Sequence, residues 1–210
     1  MGRSGIAIVN CGLGNIGSVA NALEWLQEPY FLADRSADLV DADGIILPGV
    51  GAFAAAMQRL GDSGLLDELH NQVCGERKPV LGICIGMQIL AKTSEEGGLH
   101  DGLGWLDASV VNLEPGEALR VPHVGWNNVS MTRSSRLFSG IEDGAHFYFD
   151  HSYRFVCDAG AVTTVCDYGG TFNASIEFGN IFATQFHPEK SQRNGLKLLR
   201  NFGAICRENR

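Results

Sequence analysis

The chain has 210 residues, 45% of them hydrophobic and 19% charged, a composition that suits a globular protein with a sizeable core. Its net charge of −8 argues against a nucleic-acid backbone as the main partner, because such a partner needs a basic surface. We find no signal peptide, membrane span, metal-ligand spacing or C-x-x-C pair, so we expect a cytoplasmic protein with reduced thiols and no bound metal.

The first half of the chain alternates short apolar runs with segments of helical spacing. The strand candidates are 5–10, 30–33, 44–47 and 79–83. The helix candidates are 18–27, 53–60, 65–73 and 87–92. Continuous apolar strands between helices predict an α/β fold with a mostly parallel central sheet and helices on both faces.

The second half is predicted to be rich in strands. The candidates are 104–113, 123–131, 146–155, 161–168, 172–179 and 180–186, followed by a final helix at 191–207. The segment 96–104 is predicted to be a loop, and it is too short and too ordinary in composition to link two domains. We therefore expect one domain over residues 1–210.

A glycine pattern near the N-terminus offers one functional hypothesis. The segment Gly12–Gly17 reads G-x-G-x-x-G between a strand and a helix, and Asp34 lies 34 − 12 = 22 residues beyond Gly12. This spacing matches the dinucleotide fingerprint of an NAD-binding Rossmann oxidoreductase. That hypothesis leaves the motifs described next without a joint purpose, and the chain is short for a cofactor domain plus a substrate domain.

The pattern Gly82-Ile83-Cys84-Ile85-Gly86 lies between a predicted strand and a predicted helix. Two glycines allow the tight turn of a nucleophile elbow, here with a cysteine as nucleophile. The helix N-terminus favours the thiolate, and the N–H of Ile85 is placed to donate to an oxyanion. The alternative is a buried cysteine in a glycine-rich turn.

His187 and Glu189 follow the last predicted strand. A thiol nucleophile needs a base, and the base needs an orienting group, so these two residues complete a triad with Cys84. They begin 187 − 84 = 103 residues after the cysteine, a separation that a parallel sheet can close at the carboxyl ends of its strands. The combination predicts a catalytic site.

The role of two further sets of residues is not decided by the sequence pattern. The loop Gly49-Val50-Gly51 leaves the third strand, and its N–H groups could complete an oxyanion hole or simply form a turn. Trp126, Asn127 and Tyr148 lie in predicted strands, where they could belong to the core or to an interface.

Together these residues resemble the class I (triad) glutamine amidotransferases, and within them the glutaminase subunits of imidazole glycerol phosphate synthases. The resemblance covers nearly the whole chain. Its markers are LPGVGAF (47–53), GICIGMQIL (82–90), SEEG (94–97), HVGWN (123–127), HSYR (151–154) and QFHPEKS (185–191).

The resemblance implies that Cys84, His187 and Glu189 hydrolyse L-glutamine without a cofactor. It implies that the N–H groups of Ile85 and of the 49–51 loop form the oxyanion hole. It also implies that Gln88 and Glu96 hold the α-amino group of glutamine and the backbone of Ser152 and Tyr153 holds its α-carboxylate.

The resemblance further implies a barrel-shaped cyclase subunit that receives the ammonia and forms a heterodimer with this chain. The matching interface residues are Asn10, Asn15, Trp126, Asn127, Tyr148 and Lys190. One position departs from the pattern, because Asp150 stands where the family usually has an aliphatic residue. Subunits that feed other synthases, such as those for surface-sugar amination, therefore stay open as an alternative.

Overall fold

Strands and helices alternate through the first half of the structure, for which a computed structural model describes residues 4–12, 14–116 and 119–209. The strands of this half are β1 (Ile6–Val9), β2 (Tyr30–Ala33), β3 (Gly44–Leu47), β4 (Val80–Ile83), β5 (Thr93–Ser94) and β6 (His100–Asp101). The helices are α1 (Ile16–Trp25), α2 (Ser36–Asp41), α3 (Phe53–Asp62), α4 (Leu66–His70) and α5 (Ile85–Gln88). A π-helical turn, Asn71–Gly75, continues α4.

The second half is mostly strands. They are β7 (Ala108–Asn112), β8 (His123–Asn128), β9 (Ser130–Met131), β10 (His146–His151), β11 (Tyr153–Cys157), β12 (Val162–Asp167), β13 (Thr171–Phe178) and β14 (Ile181–Thr184). Short 3₁₀ turns lie at Arg136–Phe138 and Pro188–Lys190, and the chain ends in α6 (Gln192–Glu208). No helix in the described ranges is long and apolar enough to cross a membrane.

Eight strands form the central sheet, in the order β2-β1-β3-β4-β14-β13-β12-β9. The strands from β2 to β14 are parallel, and those from β14 to β9 are antiparallel. β4 and β14 are neighbours, with Ile83 paired to Thr184. Their carboxyl ends therefore lie side by side, so residues that follow the two strands can form one site.

Each face of the sheet is covered by its own helices, which explains why the inner strands β1, β3 and β4 are apolar and buried throughout. In β1, Ala7 and Val9 join a core cluster with buried residues of α3 and α4. Ile6 and Ile8 join the opposite cluster, with residues of α1 and α6. Alternating side chains along one strand thus enter two different cores. The predicted α/β fold is confirmed.

Two smaller sheets lie beside the main one. β10 pairs with β8, and the other has the order β11-β7-β5-β6. The segment 146–155, predicted as one strand, is in fact two strands in different sheets, separated at Ser152. That prediction was wrong because the residue pattern continues across a change of pairing partner, from β8 to β7.

The helix predicted at 87–92 is also shorter than expected, since α5 ends at Gln88. The carbonyl oxygens of Ile89 and Leu90 accept backbone hydrogen bonds from Leu103 and Leu106, at 2.8 and 3.1 Å. The segment 103–106 therefore takes the acceptors that a longer helix would use. Helix α2 was not predicted.

Candidate active site

Cys84 occupies the sharp turn between β4 and α5. Its backbone has φ 54° and ψ −106°, a conformation that costs energy for any residue other than glycine. The Cys84 N–H donates to the carbonyl of Thr184 at 2.8 Å, so the adjacent strand β14 holds the turn. The thiol is only 7% exposed. This strained, supported turn has the backbone geometry of a nucleophile elbow.

Both glycines of the elbow are required by close backbone contacts. A Cβ on Gly82 would lie 2.6 Å from the carbonyl oxygen of Gly86. A Cβ on Gly86 would overlap the carbonyl oxygen of Leu47, at the end of β3. The turn is therefore packed against two neighbouring segments of backbone, and a side chain at either glycine would displace Cys84.

His187 and Glu189 follow β14 and are both buried, with side chains 2% exposed. His187 Nδ1 lies 2.8 Å from Glu189 Oε1, and both Glu189 and the nearby Cys84 thiol raise the pKa of the ring. The backbone of His187 donates to the Tyr148 carbonyl at 2.9 Å and accepts from Ser191 Oγ at 2.6 Å. A thiol, an imidazole and a carboxylate thus form a fixed relay.

The electrostatics of this relay favour a protonated imidazole. Burial opposes a positive charge on His187, but hydrogen bonds and negative charge from Cys84 and Glu189 outweigh it and raise the pKa of His187 above 6.5. Oε2 of Glu189 is buried and has no hydrogen-bond partner among the described residues. The relay can therefore hold a proton next to the sulfur, ready for transfer to a leaving group.

A cavity of about 240 Å³ opens onto Cys84 and His187. Its other lining residues are Val50, Gly51, Ile85, Gln88, Glu96, Pro122, Asp150, His151, Ser152 and Tyr153. The structure thus brings two of the predicted catalytic residues together with all four predicted substrate residues. The volume suits a small polar molecule rather than a dinucleotide.

The predicted oxyanion residues divide into two groups. Val50, Gly51 and Ile85 line the cavity, and Gly51 has φ 103°, a value that favours glycine. Gly49 lies behind them, where an added Cβ would overlap the side chain of Ile85. The loop is therefore held close to the elbow at Gly49 and reaches the cavity at Val50, which is 44% exposed.

Two of the four predicted substrate residues are fixed by hydrogen bonds. Gln88 Nε2 donates to the Tyr153 carbonyl and to Gln185 Oε1, both at 3.1 Å. Glu96 Oε2 accepts from the N–H of Phe53, the first residue of α3, at 2.6 Å. A carboxylate and an amide oxygen that line the same cavity can bind an ammonium group.

Three of the predicted interface residues form one group. Trp126 and Tyr148 are cross-strand partners with ring centroids 6.2 Å apart, and Lys190 Nζ lies 5.4 Å from the Tyr148 ring centroid. Trp126 is 48% exposed and Val124, on the same face of β8, is 54% exposed. We call Val124, Trp126, Tyr148 and Lys190 the β8–β10 face.

The other three predicted interface residues have internal partners. Asn127 points to the opposite side of β8 from Trp126, and its Nδ2 donates to the Asp167 carbonyl at 3.0 Å. Asn10 Nδ2 donates to Asp34 Oδ1 at 2.6 Å. Asn15 caps α1, its side chain accepting from the N–H of Ser18 at 3.4 Å.

The glycine fingerprint has an explanation within the fold. A Cβ on Gly14 would lie 3.0 Å from Gly49 Cα, so this glycine lets the first loop pack against the loop beside the elbow. Asp34 is engaged by Asn10. Leu13, inside the fingerprint, lies outside the described residues.

The sequence analysis missed three buried polar residues around the site. Gln185 is fully buried and its Nε2 lies 3.8 Å from Cys84 Sγ. His123 and His151 are 3% and 5% exposed and are hydrogen-bonded to each other. A signal was available for Gln185, which is a polar residue between an apolar strand and His187, but strand register alone brings the two histidines together.

Comparisons with known proteins agree with this geometry. The family model for class-I glutamine amidotransferases matches residues 8–206. The chain is 43% identical to imidazole glycerol phosphate synthase subunit HisH 1 of Campylobacter jejuni, over 95% of this chain and 100% of that protein. It is 47% identical to subunit HisH of Moorella thermoacetica, over 96% and 95%.

The fold agrees as well. A crystal structure of a glutamine amidotransferase, 21% identical, superposes with a TM-score of 0.74 and covers 98% of this chain and 99% of its own. With a family match across nearly all of its length, this chain belongs to the class-I glutamine amidotransferases.

Proposed function

We propose that this chain is the glutaminase subunit of an imidazole glycerol phosphate synthase in histidine biosynthesis. It hydrolyses L-glutamine to glutamate and ammonia, and it passes the ammonia to a cyclase subunit. The observation that carries this proposal is the buried Cys84–His187–Glu189 relay at the floor of a small polar cavity. The identity to named subunits of that synthase over nearly the whole chain supports the choice of pathway.

The first half-reaction forms a thioester. The Cys84 thiolate attacks the side-chain amide carbon of glutamine, and the amide oxygen takes up negative charge. Backbone N–H groups of Ile85 and of the Gly49–Gly51 loop stabilise that oxygen. The imidazolium of His187 donates its proton to the amide nitrogen, the C–N bond breaks, and ammonia leaves.

The second half-reaction releases glutamate. Neutral His187 takes a proton from water as the water attacks the thioester carbon, and the C–S bond breaks to restore the thiolate. Glu189 orients the imidazole and stabilises its positive charge in both half-reactions. Gln88 and Glu96 hold the α-amino group, and the backbone at Ser152 and Tyr153 holds the α-carboxylate.

The ammonia must reach the partner without being lost to water. The β8–β10 face combines exposed Trp126 and Val124 with the Tyr148–Lys190 pair, and aromatic side chains such as Trp and Tyr are enriched in interface centres. The proposed partner is the cyclase subunit, with a barrel fold, forming a heterodimer through this face together with Asn10, Asn15 and Asn127. Residues 1–210 act as one glutaminase domain.

The proposal includes a cytoplasmic location. None of the six cysteines, all of which lie in the described ranges, forms a disulfide. Six thiols in one small domain suit a reducing compartment.

A second candidate pathway is favoured by Asp150. This carboxylate is exposed, lines the cavity, and is paired across the strands with Val124 of the β8–β10 face. A charged group there could match a different synthase, such as one that aminates a surface sugar. The glutaminase chemistry is the same in both candidates.

Stimulation by partners distinguishes the two candidates. Glutamate release would be measured for the chain alone, with a histidine-pathway cyclase subunit and its nucleotide substrate, and with a sugar-aminating synthase and its substrate. We expect the histidine-pathway pair to stimulate release strongly and to elute as a one-to-one complex. If only the sugar-aminating synthase stimulated glutamate release, the chain would be assigned to the second pathway.

A further inference from the structure

Two buried histidines connect strand β8 to the chain segment that lines the glutamine cavity. His123 and His151 are cross-strand partners in β8 and β10. His123 Nδ1 lies 3.0 Å from His151 Nε2, and His151 Nδ1 lies 2.8 Å from the carbonyl oxygen of Tyr153. A continuous chain of hydrogen bonds therefore runs from β8 to Tyr153.

The direction of this chain is fixed by its last acceptor. A carbonyl oxygen can only accept, so His151 carries its hydrogen on Nδ1 and, when neutral, accepts on Nε2. His123 must then donate from Nδ1, which leaves its Nε2 as an acceptor. The Nδ2 donor of Asn127 lies 3.4 Å from that nitrogen. In this series of hydrogen bonds, each donor thus faces an acceptor.

The surroundings keep both rings neutral and immobile. Burial lowers the pKa of His123 to about 4, and burial, with repulsion from the positive charge of His187, lowers the pKa of His151 to about 4 as well. The His123 ring stacks against Tyr168 and Phe149, with centroids 3.9 and 4.8 Å away. The pair therefore stays in one arrangement near neutral pH.

The segment that His151 holds is the wall of the catalytic cavity. The carbonyl oxygen of Asp150 lies 3.8 Å from Cys84 Sγ. Ser152 and Tyr153 line the cavity, and the Tyr153 carbonyl also accepts from Gln88. The break between β10 and β11 falls at Ser152, whose carbonyl accepts a backbone hydrogen bond from Leu113 at 3.0 Å. The hydrogen bond between His151 Nδ1 and the Tyr153 carbonyl adds a side-chain restraint that spans the break.

We propose that His123 is a positioning residue for glutamine: by donating to His151, it holds the 150–153 segment in the conformation that receives the α-carboxylate. This inference rests on the proposed function. His123 does not touch the cavity and acts through His151. Because His123 and Trp126 lie on the same strand, a partner that contacts Trp126 also stabilises the strand from which His123 acts.

A pair of amide substitutions isolates the donated hydrogen bond. In His123→Asn the side-chain amide falls near the position of Nδ1 and keeps a donor for His151. In His123→Gln it falls near the position of Nε2, and the donor is lost. Both variants are polar and uncharged, so a difference between them reports the Nδ1 hydrogen bond rather than the loss of an imidazole.

The readout compares two reagents at Cys84. Acivicin, an electrophilic glutamine analogue, needs the α-carboxylate site, whereas iodoacetamide needs only an accessible thiolate. Labelling rates at the peptide containing Cys84 would be followed by mass spectrometry. For His123→Gln we expect acivicin labelling to slow about tenfold, the effect of one lost buried hydrogen bond, with iodoacetamide labelling unchanged. For His123→Asn we expect less than about a twofold change.

Other outcomes overturn the proposal. Equal acivicin rates in both variants and the wild type would show that His123 does not position the segment. Equal slowing with both reagents would assign His123 a purely structural role. If wild-type Cys84, with the cyclase partner and its nucleotide substrate present, reacts with iodoacetamide but not with acivicin, the proposed glutaminase function fails, and this inference fails with it.

A measurement on the wild-type protein covers the case in which a variant does not fold. Nitrogen-15 chemical shifts report which ring nitrogen of a histidine carries hydrogen. The proposal requires the Nδ1–H tautomer for both His123 and His151 near neutral pH. An Nε2–H tautomer at either residue would break the chain and contradict the proposal.

Discussion

Cys84 and His187 stand at the ends of adjacent buried parallel strands, whereas Ser152 and Tyr153 stand at a break between two small antiparallel sheets. The parallel region fixes its groups by backbone packing on every side. The antiparallel region fixes its groups through one backbone hydrogen bond to Ser152 and side-chain hydrogen bonds to the Tyr153 carbonyl, and it presents an exposed face. The reactive groups thus come from the buried parallel strands, and the proposed contacts with the α-carboxylate and with the partner come from the antiparallel region.

A substitution in the Cys84–His187–Glu189 relay of the parallel region is expected to have the largest effect, a loss of glutaminase activity. Glu189→Gln keeps the shape of the side chain but removes the negative charge that stabilises the His187 imidazolium. We expect kcat for glutamate release to fall by about 10²–10⁴, as for other triads that lose their carboxylate. Steady-state kinetics with a thermal-unfolding control measures this. An unchanged kcat would mean that Glu189 has no role in the reaction.

The packing of the elbow predicts a large loss of stability. Gly86→Ala would drive a Cβ into the carbonyl oxygen of Leu47, so we expect the free energy of unfolding to fall by more than about 2 kcal/mol. Gly61→Ala is the matched control, since an added Cβ there meets nothing within 4 Å and the residue lies inside α3.

We expect Gly61→Ala to stabilise the protein by about 0.4–1 kcal/mol. Urea unfolding compares the two variants with the wild type. If Gly86→Ala proved as stable as Gly61→Ala, the close approach between the elbow and β3 would be incorrect.

The exposed face of the antiparallel region predicts a smaller, partner-dependent effect. Trp126→Ala removes the central aromatic side chain of the β8–β10 face, and we expect affinity for the synthase partner to fall about tenfold or more. Phe178→Ala is the control, because Phe178 is 56% exposed and pairs with Ile181 at the start of β14, the end of that strand opposite Lys190. Titration calorimetry measures both. Equal losses of affinity would mean that the face does not dock the partner.

The histidine pair predicts a modest dependence of stability on pH. Both groups have a folded pKa of about 4, below the ordinary value of 6.5. The unfolded chain therefore binds more protons below pH 6.5, and stability falls as the pH drops toward 4. Each histidine contributes a slope on the order of 1 kcal/mol per pH unit.

Unfolding of His123→Asn and of the wild type at several pH values isolates this contribution, because the carboxylates titrate in both proteins. The variant is expected to lose less stability on acidification than the wild type. The same slope in both proteins would show that His123 is not held neutral by the fold.

The same comparison explains how much could be predicted from sequence. Apolar runs and flanking glycines mark the parallel region, and adjacent parallel strands bring Cys84 and His187 together, as predicted. Less could be predicted from the sequence for the antiparallel region. Nothing in the pattern of 146–155 reveals the break at Ser152, because the two strands differ only in their pairing partners.

The histidine pair shows the same limit. His123 and His151 are 28 residues apart, and only the register of β8 against β10 makes them neighbours. Asn127 was predicted as an interface residue from resemblance, whereas its side chain points inward to His123 and Asp167. Its role at an interface stays a prediction. Local sequence patterns indicate the candidate reactive residues, whereas the register between strands determines which other residues contact them.

The most direct test of the account is glutamate release from L-glutamine by the wild type, by Cys84→Ala and by Cys74→Ala, each with the cyclase partner and its substrate present. Cys74 is a half-buried thiol outside the cavity and serves as the matched control. We predict that release is abolished in Cys84→Ala and unchanged in Cys74→Ala. Release by a folded Cys84→Ala protein at the wild-type rate would contradict the assignment of Cys84 as the nucleophile.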